Sequence, residues 1–272
     1  TEETNPKEVK EGFVTGQISA VKLYPAGATT NSQSGVRNFE EIKPVLEIMA
    51  EIGCPLCIHG EVTEKNIDIF DREKAFIDNV LNKIRTDNPT LKVIMEHITT
   101  KDAVDYVFSG NENLAATVTT HHLSINRNDL LAGGIRPHFY CLPVVKREAH
   151  RLALVEAVVS GSPKFFLGTD SAPHLDRDKE SSCGCAGCFT ATNSLEILAH
   201  IFEEQNALNK LELFTSINGA KFYGKNINND KIRIVKKDKP TSFPEKISTP
   251  SGEITVFKPN FKTKWQVQVQ FK

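Results

Sequence analysis

The sequence predicts an α/β fold in which parallel strands alternate with helices, of the type that closes into a (β/α)₈ TIM barrel. Short apolar runs are separated by stretches in which apolar residues recur at helical spacing. Such alternation favours a parallel sheet with right-handed crossovers, and 272 residues is a normal length for one barrel. Polar residues able to hold a metal or a proton follow the apolar runs. In a parallel barrel that end is the active face.

The apolar runs predict strands at 18–22, 55–59, 91–97, 114–119 and 164–170. The polar residues at or just after their ends are Lys22, His59, His97, the pair His121 and His122, and Asp170. A closed barrel needs eight strands. We therefore expect about three strand–helix units to be absent from the front of this chain.

Helical spacing predicts helices at 7–13, 38–52, 70–85, 99–108, 146–160, 193–206 and 211–222. Thr99 is the expected cap of the helix that follows it. The connection 121–143 and the stretch between Asp170 and the cysteines near 185 carry no predicted helix. The tail alternates at 265–271 and predicts a terminal strand outside the main unit. We expect residues 1–230 to form the barrel part and 231–272 a C-terminal extension packed on it.

Composition excludes several classes of function. The net charge of −1 and the lack of a basic stripe argue against a nucleic-acid partner. No apolar run approaches the length of a membrane span. The six cysteines are interpreted as reduced thiols, which favours a cytoplasmic location with an organelle left open. The chain begins without Met and without a signal peptide, so we expect a processed, truncated or recombinant start.

Three of the strand-end residues are candidate metal ligands. His59 and His97 close successive strands, and neutral imidazole is a common zinc ligand. Asp170 could ligate an ion and accept a proton from water. Each could instead be a packed, hydrogen-bonded or loop-ordering residue. Because neighbours on a strand point to opposite faces, His121 and His122 are not expected to act together.

Lys22 is an unusual residue to find at the end of an apolar strand. Burial would disfavour its ammonium form. A neutral amine could take up carbon dioxide, and the resulting carbamate has two oxygens that can bridge two cations. The alternative is a lysine that snorkels to solvent or pairs with a carboxylate.

The cysteines form two groups in the sequence. Cys54 and Cys57 fall at and inside a predicted strand, so we expect them to be buried. Cys183, Cys185 and Cys188 are separated by glycines, which indicates tight turns that present N–H groups to a ligand. The alternative for this group is a small cysteine–zinc module, although a fourth ligand is not obvious.

Several longer strings resemble the dihydroorotase family of the amidohydrolase superfamily, in its short monofunctional type. They are VKLYPAGATTNSQSGV at 21–36, CIHGEV at 57–62, EHITT at 96–100, TVTTHHL at 117–123, GGIRPHFYCLPVVK at 133–146, GTDSAPH at 168–174 and ESSCGCAGCF at 180–189. Their order and length are far more specific than any single motif.

This resemblance implies a binuclear zinc centre and a homodimer. The bridging ligand would be carboxylated Lys22, with His59 and His97 on the more exposed ion. Asp170 would ligate the buried ion and shuttle the proton. The family's substrate contacts correspond to His174, to backbone groups of Leu142 and Ala186, and to Thr29 and Thr30 on a loop that closes over the substrate.

The implied reaction is the reversible interconversion of N-carbamoyl-L-aspartate and L-dihydroorotate in pyrimidine biosynthesis. The family's His-x-His pair for the buried metal is missing from this chain, so we expect weak or no activity from these residues alone. The alternatives are a hydantoinase- or allantoinase-type enzyme and a non-catalytic assembly partner.

Overall fold

Five short strands form one parallel sheet in the computed structural model, which describes residues 1–268. The strands follow one another in chain order across the sheet, and each pairs in parallel with the next. They are β1 (Val21–Leu23), β2 (Leu56–Ile58), β3 (Val93–Met95), β4 (Leu114–Val118) and β5 (Phe165–Leu167). The predicted parallel α/β sheet is therefore present, and each strand is shorter than its predicted range.

Helices connect and cover these strands. They are α1 (Pro6–Val14), α2 (Lys43–Ile52), α3 (Arg72–Phe76), α4 (Asn82–Asp87), α5 (Lys101–Ser109), α6 (Thr120–Ser124), α7 (Arg127–Leu131), α8 (Glu148–Val159), α9 (Asp176–Lys179), α10 (Ser194–Glu204) and α11 (Asn218–Phe222). π-helical turns at Ile77–Leu81 and Leu213–Ile217 join α3 to α4 and precede α11, and short 3₁₀ turns lie at Pro137–Phe139 and Leu208–Lys210.

Burial on both faces explains the composition of the central strands. Every residue of β2, β3 and β4 is buried, as expected for parallel strands covered on both sides. Helix α2 shows how local signals bound the crossovers: Pro44 stands in its first turn and Gly53 ends it in the left-handed conformation. The core thus aligns the carboxyl ends of neighbouring strands along one edge.

Four local predictions were wrong. Thr100, rather than Thr99, caps α5: both hydroxyls donate to Glu73, but only Oγ1 of Thr100 also accepts a helix N–H, that of Ala103. The connection 121–143 contains α6 and α7, and α9 lies between Asp170 and the cysteines. Finally, His121 and His122 lie on α6 and not on a strand, since Thr119 caps a helix there through its side chain.

Residues after 231 form small antiparallel pairs outside the five-stranded sheet. Strand β6 (Arg233–Lys236) pairs with β9 (Trp265–Gln268), and β7 (Lys246–Thr249) pairs with β8 (Gly252–Thr255). The predicted terminal strand is therefore present up to residue 268, and positions 269–271 lie outside the described residues. Within the part that is described, no helix is both long and apolar enough to cross a membrane.

Candidate active site

Four predicted site residues lie along the carboxyl edge of the sheet. Lys22 is the central residue of β1 and pairs in register with Cys57 of β2. His59 directly follows β2, His97 follows β3 by two residues, and Asp170 follows β5 by three. Because parallel strands end at the same edge, residues far apart in sequence become neighbours here.

The two histidines form the centre of this edge. Their ring centroids lie 4.8 Å apart, and both side chains are buried. Nε2 of His59 lies 3.0 Å from Oε2 of Glu61. The N–H of His97 donates to Oγ1 of Thr117 at 2.7 Å, and its Nδ1 has no hydrogen-bond partner among residues 1–268.

The state of His97 suits a metal ligand. Burial, and then the positive charges of neighbouring groups, hold the pKa of His97 well below its usual value, so its ring is neutral. A buried, neutral imidazole with an unpartnered nitrogen matches the donor that divalent transition metals prefer. The residues therefore fit a cation at this position.

Lys22 forms an ion pair with Glu96. Its side chain is 40% exposed, and the pairing alternative describes the bonding found here. Partial desolvation still lowers the pKa of Lys22, against the opposing influence of Cys57 and Asp170.

Asp170 completes the group. Desolvation raises the pKa of its carboxyl, and the nearby Lys22 and His59 oppose that shift. Both Asp170 and His97 have left-handed backbones, with φ of 41° and 43°. Such strain in residues other than glycine is concentrated at functional sites.

The predicted substrate-contact residues meet on the adjoining loops. Nε2 of His174 lies 3.1 Å from the carbonyl of Ala186, and the N–H of Ala186 donates to Oγ1 of Thr30 at 3.2 Å. The N–H of Thr29 donates to Ser32, which orders that loop. Leu142 lies two residues beyond Tyr140, whose carbonyl accepts the N–H of Gly187. The structure therefore links the segments that contain Leu142, His174, Ala186 and Thr30.

A second cluster is also a candidate metal site. Among residues 1–268, His121, His122 and Cys141 are the one group of three such side chains whose ligand atoms all lie within 4.8 Å of one another. His59, His97 and Asp170 are not packed that tightly. Both nitrogens of His122, however, already have partners in Thr119 and the Pro143 carbonyl.

The cysteine predictions have mixed outcomes. Cys54 and Cys57 are buried, as expected. Cys183 is exposed and Cys185 is half-buried, whereas Cys188 is buried with its thiol directed to the carbonyl of His138. The cysteine–zinc alternative still lacks a fourth ligand among the described residues.

Sequence reasoning missed two carboxylates at this edge. Glu61 bonds His59, and Glu96 pairs with Lys22. Both had a weak signal, since each lies within two residues of a predicted histidine ligand. An acidic residue beside a histidine is too common to single out without the folded geometry.

The comparisons with known proteins agree with this geometry. The chain matches the model of the Amidohydrolase family over residues 1–234. Dihydroorotases from a Ruegeria species and from Agrobacterium fabrum are 62% and 60% identical over 267 residues, which is 98% of this chain and 77% of each relative. The chain belongs to the dihydroorotase family. The predicted resemblance is thus confirmed, and this family is generally metal-dependent.

Solved structures extend the agreement to the fold. The dihydroorotase of Saccharomyces cerevisiae, in complex with 5-fluoroorotic acid, superposes with a TM-score of 0.89 at 34% identity, covering 98% of this chain and 78% of that one. An L-hydantoinase from Arthrobacter aurescens superposes with a TM-score of 0.67 at 17% identity, covering 82% and 54%. That second likeness shows the shared fold alone. The predicted fold class, part of an α/β barrel of the amidohydrolase type, is confirmed.

Proposed function

We propose that this protein is a dihydroorotase, which reversibly converts N-carbamoyl-L-aspartate into L-dihydroorotate and water in pyrimidine biosynthesis. The observation that carries the proposal is the meeting of Lys22, His59, His97 and Asp170 at one edge of a sheet shared with dihydroorotases. The higher identity to dihydroorotases than to hydantoinases favours this substrate over a hydantoin.

The proposed cofactor is a pair of zinc ions, which carboxylated Lys22 would hold as their common ligand. His59 and His97 would hold the more exposed ion and Asp170 the other. Bound there, the metal would supply Lewis acidity toward the ring carbonyl and toward the attacking water. Support comes from the unpartnered Nδ1 of His97 and from the lowered pKa of Lys22, because a neutral amine is the form that reacts with carbon dioxide.

The chain's own groups bind the substrate and move the proton. In the hydrolytic direction Asp170 accepts a proton from the attacking water and delivers it to the amide nitrogen as the ring C–N bond breaks. The raised pKa of Asp170 suits a group that must hold a proton briefly. His174 and the backbone of Leu142 and Ala186 would orient the substrate, and Thr29 and Thr30 would cover it.

The reaction can be tested by measuring the ultraviolet absorbance change as L-dihydroorotate is opened by metal-loaded enzyme that includes any residues preceding this chain. Asp170→Asn should lower kcat by about 10²–10⁴-fold, because the amide cannot take up the proton. Asp105→Asn is the matched control, since Asp105 is an exposed residue of α5. Wild-type turnover of hydantoin but not of dihydroorotate would overturn the proposal.

The cofactor has its own test. Chelation should abolish activity, and zinc together with bicarbonate should restore it more fully than zinc alone, since Lys22 must be carboxylated. Mass spectrometry of metal-free and reloaded protein checks the added carbon dioxide. Full recovery in bicarbonate-free buffer, with Lys22 unmodified, would contradict the bridging role.

The proposal also includes a homodimer in the cytoplasm. The six cysteines all remain free thiols, as a reducing compartment would keep them. Sedimentation of the purified protein tests the dimer.

A further inference from the structure

Lys179 is a buried lysine whose bonding is not explained by the metal ligands. It is the last residue of α9 and is only 3% exposed. Its ammonium donates to the carbonyls of Tyr140 at 2.8 Å, Cys185 at 2.7 Å and Gly187 at 2.8 Å. An ammonium has three donors and no acceptor, so these carbonyls use its full capacity.

The position is energetically demanding. Burying a charge is costly unless hydrogen bonds compensate, and desolvation lowers the pKa of Lys179. No carboxylate forms an ion pair with Lys179 in the part of the chain that is described. The stabilisation of this charge therefore depends on the three carbonyls staying where they are.

The carbonyl of Cys185 determines the direction of the next N–H. In a trans peptide the C=O of one residue and the N–H of the following residue point in opposite directions from the same plane. Lys179 holds the Cys185 carbonyl on one side, so the N–H of Ala186 points to the other. There it donates to Oγ1 of Thr30 at 3.2 Å, on the loop proposed to cover the substrate.

The carbonyl of Tyr140 links the two substrate-binding segments. It accepts both the ammonium of Lys179 and, at 2.9 Å, the N–H of Gly187. Gly187 is confined, because a Cβ there would lie 2.5 Å from Cβ of Ala172. The segment leading to Leu142 and the segment around Ala186 are thus joined at one charged centre.

We propose that Lys179 is a positioning residue, which aims the N–H of Ala186 and aligns the Leu142 segment so that dihydroorotate is bound in one orientation. This inference rests on the proposed function, since it assigns Lys179 a part in that same site. Lys179 does not touch the substrate or the metal ligands in this role.

The test compares Lys179→Met with Lys164→Met in the metal-loaded enzyme. Lys164 is a matched control: its ammonium also bonds three carbonyls, those of Val107, Phe108 and Gly110, but it precedes β5 at the opposite edge of the sheet. We expect Lys179→Met to raise KM for dihydroorotate by about 10–100-fold with kcat and zinc content little changed. Lys164→Met should leave KM within about twofold, because its carbonyls are remote from the site.

A second readout does not depend on turnover. Hydrogen exchange of the peptide spanning 183–188 should become faster in Lys179→Met and stay unchanged in Lys164→Met. If the Met variant does not fold, Lys179→Gln keeps two donors and should show a smaller change in the same direction.

Three results would overturn the inference: an unchanged KM, an equal KM increase in both variants, or loss of zinc together with kcat. A wild-type enzyme that does not convert dihydroorotate would instead refute the proposed function, and the exchange comparison would still decide whether Lys179 orders the Ala186 segment.

Discussion

His97 and Asp170 have backbone conformations that cost residues other than glycine about 1–3 kcal/mol each. Asn31 and Asn206 also have positive φ, but asparagine tolerates that region well. His97 and Asp170 follow β3 and β5 at the edge of the sheet where the other candidate ligands lie, which gives their strain a functional reading. The fold holds each of these residues beside His59 and Lys22 at a cost in stability.

The thiols provide a residue-scale prediction. The thiolate is the reactive form, and burial raises the pKa of Cys54 to about 11. Cys54 is fully buried, whereas Cys183 is exposed. Iodoacetamide between pH 7 and 9 should label Cys183 and leave Cys54 unlabelled, as measured by peptide mass spectrometry.

The raised pKa of Cys54 also makes the stability of the fold depend on pH, in a direction that can be stated. Since the folded state keeps the Cys54 proton more tightly than the unfolded state, this group costs no stability below its ordinary pKa of 9.0 and lowers stability as pH rises from there toward about 11. Labelling in denaturant should include all six cysteines. Equal labelling of Cys54 and Cys183 in the native protein would contradict the burial described.

At the scale of elements, the site depends on how closely β4 and β5 approach. Gly168 follows β5, and a Cβ there would lie 2.6 Å from Cβ of Thr117 in β4. Oγ1 of Thr117 is the acceptor that holds the N–H of His97. The close packing of β5 against β4 thus sets the position of His97, a proposed metal ligand that follows β3.

Gly168→Ala should therefore reduce both stability and metal affinity. Displacing Thr117 is expected to cost about 1–3 kcal/mol in the free energy of unfolding, and the shift of His97 should weaken zinc binding. Denaturant unfolding and metal titration measure the two effects. Gly12→Ala in α1 is the control, because its Cβ would have 3.4 Å to its nearest neighbour and alanine favours a helix. Unchanged zinc affinity in Gly168→Ala would refute the coupling.

At the scale of the whole molecule, the residues after 231 pack against α6 and α10. Phe257 is buried, and its ring centroid lies 5.5 Å from that of Phe139 and 6.2 Å from that of His121. Its N–H donates to the carbonyl of Phe189, and its carbonyl accepts Nδ2 of Asn193. The extension is therefore part of the core and not an appendage.

Phe257→Ala should destabilise the molecule by about 3–5 kcal/mol, since the cavity is enclosed by the core and by the extension. Ile232→Ala, at a residue 57% exposed, should change stability by less than about 0.5 kcal/mol. Guanidinium unfolding of both variants measures the difference. Similar midpoints for the two variants would show that residues after 231 contribute little to the core.

The order of the five parallel strands, the longer helices between them, the family and the candidate ligands Lys22, His59, His97 and Asp170 were predicted from the sequence. They are local properties: apolar runs, helical spacing and motif strings depend on residues close together in the chain. The cap at Thr100 and helix α6 were not predicted, because threonine is a good cap at positions 99, 100 and 119 alike, and only the folded backbone shows which hydroxyls accept a helix N–H.

Only the tertiary structure decided which residues meet. Glu96 reaches Lys22 across 74 positions, and Lys179 reaches Tyr140 across 39. No spacing rule connects such residues, because their proximity results from the register of parallel strands and the packing of loops above them. The sequence by itself determined which residues are candidate metal ligands. The fold determined that Lys22 pairs with Glu96 and that the N–H of Ala186 points to Thr30.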